Sequence, residues 1–154
     1  MPTQSAGILL HRLREGVAEV LIVHPGGPYW ARKDAGAWSI PKGECEDGED
    51  LRACAVREFE EELGVAAPAA GALRELGSIR LRSGKRVTAW AAPGDLDADA
   101  IRSNTFTLEW PPRSGQEQEF PEVDRAGWFG IEEARERLNP AQAAFLDRLA
   151  IVSD

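Results

Sequence analysis

Two apolar runs open the chain, GILLHRL within residues 5–13 and EVLIVH at residues 19–24, separated by Arg14-Glu15-Gly16. Their β-branched content and the short break predict a hairpin or two neighbouring strands. PGGPYW at residues 25–30 reads as loop from its Pro and Gly, and residues 38–40 predict a short strand running into PKGE. The strongest helical pattern covers residues 50–63, with Asp50 placed to cap its start and Gly64 standing just past its end. Residues 73–81 and 86–91 then predict two strands joined by a Ser-Gly turn, and residues 104–110 alternate like a further strand. PPRSGQEQEFPE reads as a polar loop, RAGWFG as a final short strand, and IEEARERL and PAQAAFLDRLAIV as closing helices parted by Asn139-Pro140. Strands, helix, strands and helices in that order predict an α+β domain with a mixed sheet flanked by helices, rather than strict βαβ alternation.

On a helix advancing ~100° per residue, Val56, Phe59 and Leu63 share one side. Glu58, Glu61 and Glu62 gather on an adjacent side, while Glu60 points elsewhere. Carboxylates at such spacings repel and destabilise a helix unless something compensates them. A solvated acidic face, a cation site and a docking surface for a basic partner all fit the helix taken alone. Hard divalent ions take oxygen ligands, and Mg²⁺ is held by one or two carboxylates with waters and substrate phosphates.

Composition narrows the class. The 154 residues are 43% hydrophobic with five Trp and five Phe, which suits one globular domain spanning residues 1–154. A formal charge of −8 argues against binding duplex nucleic acid through a broad basic surface. No apolar run approaches the ~20 residues of a membrane span, and the first residues lack a signal-peptide pattern, so a cytoplasmic location is expected. The two cysteines, Cys45 and Cys54, have no partner at zinc-ligand spacing and are expected as reduced thiols.

The wider spacing distinguishes the readings of the helix. From Gly43, five residues lead to Glu49, seven more to Arg57, and then follow Glu58, Phe59, Glu60, Glu61, Glu62, Leu63, Gly64 and Val65. This resembles the signature of the Nudix hydrolase family at each fixed position, with apolar Phe59 and Val65 where the family has apolar residues. WSIPKGE before the signature and GWFGIEEARERL near the end are also similar to family members. The resemblance implies an α/β/α sandwich and hydrolysis of a diphosphate linked to another group, usually a nucleoside, with Mg²⁺ or Mn²⁺. Carried over, Glu58, Glu61 and Glu62 are metal ligands, with the Gly43 carbonyl as a further ligand, and Glu49 and Arg57 form a pair that orients the carboxylates. The base that activates water is Glu61 or a loop acid among Glu117, Glu119 and Glu122.

Other candidates have ordinary alternatives. Lys42 suits a phosphate contact or a surface charge. Arg32 and Lys33 offer an anion contact beside Trp30, and Trp30 or Tyr29 offers a base-stacking face; packing is the plainer role for the aromatics. His11 and His24 read as structural. Arg80, Arg82, Lys85 and Arg86 gather at one turn, either as a solvated hairpin end or as part of a basic pocket. The expected substrate is an NTP or a dinucleoside polyphosphate, met by a monomer or homodimer; the alternative is a Nudix domain that binds nucleotide or protein without catalysis.

Overall fold

The computed structural model describes residues 4–149. Strands β1 (Gln4–Arg14) and β2 (Val17–Pro25) pair antiparallel about Glu15-Gly16. Both turn residues adopt positive φ, 51° and 80°, as a two-residue hairpin turn matched to strand twist requires. The remaining elements are β3 (Lys42–Glu44), α1 (Leu51–Leu63), β4 (Arg74–Arg80), β5 (Arg86–Pro93), β6 (Thr105–Glu109), β7 (Glu117–Pro121), β8 (Val123–Gly130), α2 (Ile131–Arg137) and α3 (Ala143–Arg148). The main sheet runs β4-β5-β1-β2-β8, with β3 also on β1. It is mixed, because β1 runs parallel to β5 while its other pairings are antiparallel. With helices on both faces, this is the α+β sandwich that the element order predicted.

Alternation within the central strands divides the core in two. Ala6, Ile8, Leu10, Leu21 and Val23 face α1 with Phe59 and Leu63, whereas Leu9, Val20 and Ile22 face Ala134, Leu138, Phe145 and Leu146 of the C-terminal helices. Strands covered on both sides carry near-continuous apolar runs, hence GILL and VLIV. Phe59 is 1% exposed, and its truncation to Ala would cost about 3–5 kcal/mol. That burial anchors the face of α1 opposite the solvent and fixes where its carboxylates stand.

Three expectations about elements need correction. Residues 38–40 make only isolated bridges, Val23 with Ser39 and Trp38 with Leu138; the strand lies just after them, where Lys42, Gly43 and Glu44 pair with Gly7, Ala6 and Ser5. The polar stretch after Trp110 holds a strand, β7, which pairs with β6 in a separate two-stranded sheet. Its register is set by cross-strand pairing, and its composition has no apolar run to announce it. The last helix breaks into a 3₁₀ turn at Pro140–Gln142 followed by six residues of α3; residues 150–152 of the expected helix lie outside the described residues.

Candidate active site on the acidic helix

Helix α1 is fixed at both ends. The Asp50 side chain accepts from Ala53 N–H at 3.0 Å. Gly64 closes the helix at φ 69°, donating its N–H to the Glu60 carbonyl at 2.8 Å. Two further carbonyls of the last turn are satisfied from outside: Arg102 N–H donates to Leu63 and Asn104 N–H to Glu61, at 2.9 and 3.0 Å. These bonds hold the stem of the β6–β7 hairpin against the acidic end of the helix.

Arg57 organises the carboxylates. Its Nε and Nη2 donate to the two oxygens of Glu49, both at 2.9 Å. Its Nη1 donates to Glu58 Oε2 at 2.7 Å and to Glu61 Oε2 at 2.6 Å. Nη2 also reaches the Glu44 carbonyl at 3.3 Å. One guanidinium thereby ties the loop after β3 to three acids through its fixed fork of donors. The bidentate bond from Arg57, aided by the Glu46 N–H, holds the Glu49 carboxyl at about 2, well below its ordinary 4.5. Arg57 is itself held more firmly protonated, chiefly by Glu49.

Glu62 has a different environment. It is 8% exposed, and burial pushes its carboxyl up from 4.5 to about 8, with Glu58 and Glu122 adding to the rise and Lys42 opposing it. The Lys42 backbone N–H also donates to this carboxylate. Glu58 is raised in the same direction by burial, against the pull of Arg57. Burial lowers the Lys42 ammonium, although Glu62 works the other way. Gly43 lies directly beneath Glu58: a Cβ there would overlap the Glu58 carboxylate. Only glycine lets the backbone approach so closely, which places its carbonyl strand beside that acid.

Among the loop acids the structure separates Glu122 from the other two. Glu122 joins β7 to β8, and its charge acts on both Glu58 and Glu62. Its backbone is held by N–H donation to Asn104 and by acceptance from Gly26, at 2.8 and 2.9 Å. Glu117 and Glu119 are exposed on β7, opposite Glu109 and Thr107. Asn104, which sequence reasoning passed over, stands 3.4 Å from Glu61 Oε1 through its side-chain amide; no spacing rule connects positions 43 residues apart.

The expected substrate residues divide. Lys42 is among the carboxylates. Trp30, Arg32 and Lys33 sit on the exposed loop after β2, where the Lys33 ammonium lies 5.2 Å from the Trp30 ring and Tyr29 packs edge-on against Trp110 at 5.2 Å. Among the described residues they make no recorded bond to Glu58, Glu61 or Glu62; the loop meets the site through its stem, by Gly26 to Glu122. His24 anchors the same loop, its Nδ1 2.9 Å from Asp124 and its Nε2 2.6 Å from the Lys33 carbonyl.

The cysteines are a correction. Cys45 and Cys54 form a disulfide with Cα atoms 5.5 Å apart, not two free thiols. The bond ties the loop after Gly43 to the first turn of α1, beside the Glu49–Arg57 pair. One cysteine in a loop and one in the helix it leads into was the available signal.

The donor set of Glu58, Glu61, Glu62 and the Gly43 carbonyl is all oxygen, which suits a hard divalent cation. Burial, with a smaller push from neighbouring acids, raises the Glu58 and Glu62 carboxyls, and a bound cation would favour their ionised forms. The residues present therefore fit such an ion.

A family model described as NUDIX domain matches residues 1–149. An RNA pyrophosphohydrolase of Novosphingobium aromaticivorans is 54% identical over 35 residues, a match that spans 23% of this chain and 22% of that protein. The Ap4A hydrolase of C. elegans, solved as a binary complex, superposes with a TM-score of 0.65 at 20% identity, over 94% of this chain and 93% of that one. The NUDIX domain of Shewanella oneidensis NrtR, complexed with ADP ribose, superposes with a TM-score of 0.65 at 13% identity, over 96% and 86%. At these identities the two structures establish a shared fold.

Proposed function

Because the chain belongs to the Nudix family, we propose that it is a metal-dependent pyrophosphohydrolase, cleaving a diphosphate linkage in a nucleoside diphosphate joined to another group, an NTP or a dinucleoside polyphosphate. The observation that carries this reading is that the Glu58 carboxylate lies against the Gly43 backbone while Glu62, buried and near enough to feel the Glu58 charge, accepts from the neighbouring Lys42 N–H. Glu58, Glu62 and the Gly43 carbonyl, with Glu61, would hold Mg²⁺ or Mn²⁺. Such an ion neutralises phosphate charge, polarises the phosphoryl oxygen and makes bound water more acidic.

The chain's own groups do the rest. Arg57 fixes the carboxylate oxygens of Glu58 and Glu61 in place, and Glu49 fixes Arg57. A general base takes the proton of the attacking water, and Glu122 fits that role better than Glu61, whose Oε2 is held by Arg57 at 2.6 Å. Lys42 contacts a phosphate, and the loop bearing Trp30, Arg32 and Lys33 meets the nucleoside. Structural neighbours whose names carry Ap4A and ADP ribose, each a nucleoside joined through phosphoanhydride bonds to another group, support a substrate of that kind. No helix among the described residues is long and apolar enough to cross a membrane. We place the protein in the cytoplasm as a monomer or homodimer, a compartment where the Cys45–Cys54 bond meets reducing thiols.

The test is phosphate release with Mg²⁺ or Mn²⁺ and a coupled pyrophosphatase or phosphatase, which frees phosphate from the products, across nucleoside triphosphates, dinucleoside polyphosphates and nucleotide sugars. Turnover of one class, abolished by chelation, is the expected result. Silence across the panel beside measured nucleotide binding would instead make this a binding domain.

A further inference from the structure

His24 is fully buried near the end of β2, yet each of its ring nitrogens meets an oxygen. Nδ1 lies 2.9 Å from Asp124 Oδ1, and Nε2 lies 2.6 Å from the Lys33 carbonyl. A carbonyl only accepts hydrogen bonds, and so does an ionised carboxylate. Asp124 keeps about a third of its side chain in solvent, with the Arg125 guanidinium 4.0 Å away, so it meets Nδ1 as a carboxylate. A neutral imidazole has one N–H and would set a bare nitrogen against one of the two oxygens, a costly mismatch when buried. Making both bonds takes a proton on each nitrogen.

Charged groups surround the ring from three elements: Asp124 and Arg125 on β8, Lys33 and Asp34 on the loop after β2, and Arg137 on α2. The Trp38 ring stands edge-on to His24 at 5.4 Å, with the Arg125 and Arg137 guanidiniums 5.2 and 5.5 Å from its centre. The Lys33 ammonium lies over Trp30 instead. Asp34 accepts from Trp38 Nε1 at 2.6 Å and from Arg137 Nη1 at 2.9 Å. Its carboxyl is held below the ordinary range chiefly by the Trp38 bond, and the charges of Arg137, Arg125 and His24 add to this.

Register shows what His24 joins. His24 pairs with Arg125 and Pro25 with Val123, so Asp124 is the extra residue of a β-bulge on β8. A bulge re-aims a side chain, here towards His24 and two residues after Glu122. On the other side, Lys33 ends the stretch that carries Tyr29, Trp30 and Arg32. The backbone bonds recorded inside that stretch run from Trp30 to Gly27 and from Lys33 to Trp30, at 3.3 and 3.0 Å, and so do not tie it to the sheet. His24 is the joint between this loop and the turn that bears Glu122.

We propose that His24, with a proton on each ring nitrogen, is a positioning residue that fastens the Lys33 end of the loop to the Glu122 turn, and that loss of one proton opens this joint. Histidine is the side chain suited to exchanging a proton near neutral pH. The loop is therefore held at lower pH and loosened as pH rises. Asp34 keeps its bonds to Trp38 and Arg137 throughout, so the loop loosens without unfolding. The proposal rests on the reading above that this loop meets the nucleoside, and adds what positions it.

Because His24 is buried, the test variant is made at its half-exposed partner. In Asp124→Asn the amide can donate to a bare Nδ1, so one proton on Nε2 suffices for the Lys33 bond at any pH. Two measurements on the full chain follow. Ring ¹⁵N NMR shifts, assigned with His11→Gln, should show both His24 nitrogens protonated in wild type at about pH 6 and one bare at about pH 8.5. Over the same range amide exchange at Trp30 and Lys33 should quicken in wild type relative to Asp124→Asn. The second measurement is KM with saturating Mg²⁺ for ATP or diadenosine tetraphosphate, whichever wild type turns over. The ratio of wild-type KM to that of Asp124→Asn should rise about fivefold from the lower pH to the higher, with the kcat ratio steady within about twofold. Titrations common to both proteins, Glu62 included, cancel in these ratios. A bare ring nitrogen at the lower pH, a KM ratio that moves less than about twofold, or a change confined to kcat would overturn the proposal. If wild type turns over nothing, the hydrolase reading alone fails, and the ring shifts with the amide exchange decide the joint.

Discussion

The segment from Gly43 to Val65 and the hairpin from Thr105 to Pro121 flank the same carboxylates but are built in opposite ways. In the first, one arginine binds three acids at 2.6–2.9 Å, a disulfide clamps the loop to the helix, and both helix ends are capped. In the second, two strands pair with each other and with no other sheet. Their half-buried residues meet loosely, Phe106 and Phe120 at 6.0 Å between ring centres, and the remaining side chains are open to solvent. The dense segment can hold charges in positions they would otherwise avoid. The open hairpin contributes through its ends, where Asn104 is bonded to α1 and Glu122 to Asn104 and Gly26, while the middle is free to vary.

Substitutions can sharpen this contrast. Glu62→Gln should reduce kcat about 10³-fold, because it removes a central carboxylate of the cluster, while circular dichroism shows an intact fold. Glu122→Gln should lower kcat about 10²-fold with little change in KM, whereas Glu117→Gln on the same hairpin should stay within about twofold of wild type. Arg57→Lys keeps the charge but loses the fork, and a drop of about 10-fold in kcat is expected. Equal effects at Glu117 and Glu122 would break the division between hairpin end and hairpin middle.

A smaller effect concerns stability. The Glu62 carboxyl rises from 4.5 to about 8 on folding, so between those values the folded state holds a proton that the unfolded chain lacks. Stability from this group is full below the lower value and is lost as pH rises through the upper one. Melting of the metal-free protein should therefore fall by on the order of 5 °C between pH 5 and pH 8.5. Glu62→Gln should flatten that dependence, and Mg²⁺ should restore stability at the alkaline end. Glu49 runs the other way, its contribution being lost as pH falls from 4.5 towards about 2.

Much of the site was legible because its chemistry is local. Gly43, Glu49, Arg57 and the following acids are connected by one loop and one helix, so spacing alone predicts that Glu58, Glu61 and Glu62 are neighbours. Burial of Glu62 was not legible: it depends on Lys42 and on strand β3, which forms only through pairing with β1. Proposing Glu122 over Glu117 and Glu119 rests on its charge acting on Glu58 and Glu62 and on the long-range bonds to Asn104 and Gly26. Strand β7 was missed for the same reason, since EQEFP has the composition of a loop and becomes a strand through its partner. The cysteine pair was missed because a separation of nine residues does not by itself show that the loop folds back onto the helix.

The most direct test of the central claim, that the α1 carboxylates form a divalent-cation site, is a Mn²⁺ titration of wild type and Glu62→Gln at pH 7.5, following free Mn²⁺ by electron paramagnetic resonance and proton release by a pH indicator. The account predicts wild-type binding with release of protons as Glu62 ionises, and affinity weakened at least about tenfold without that release in the variant. Equal affinity in the two proteins, with no protons released by wild type, would contradict it.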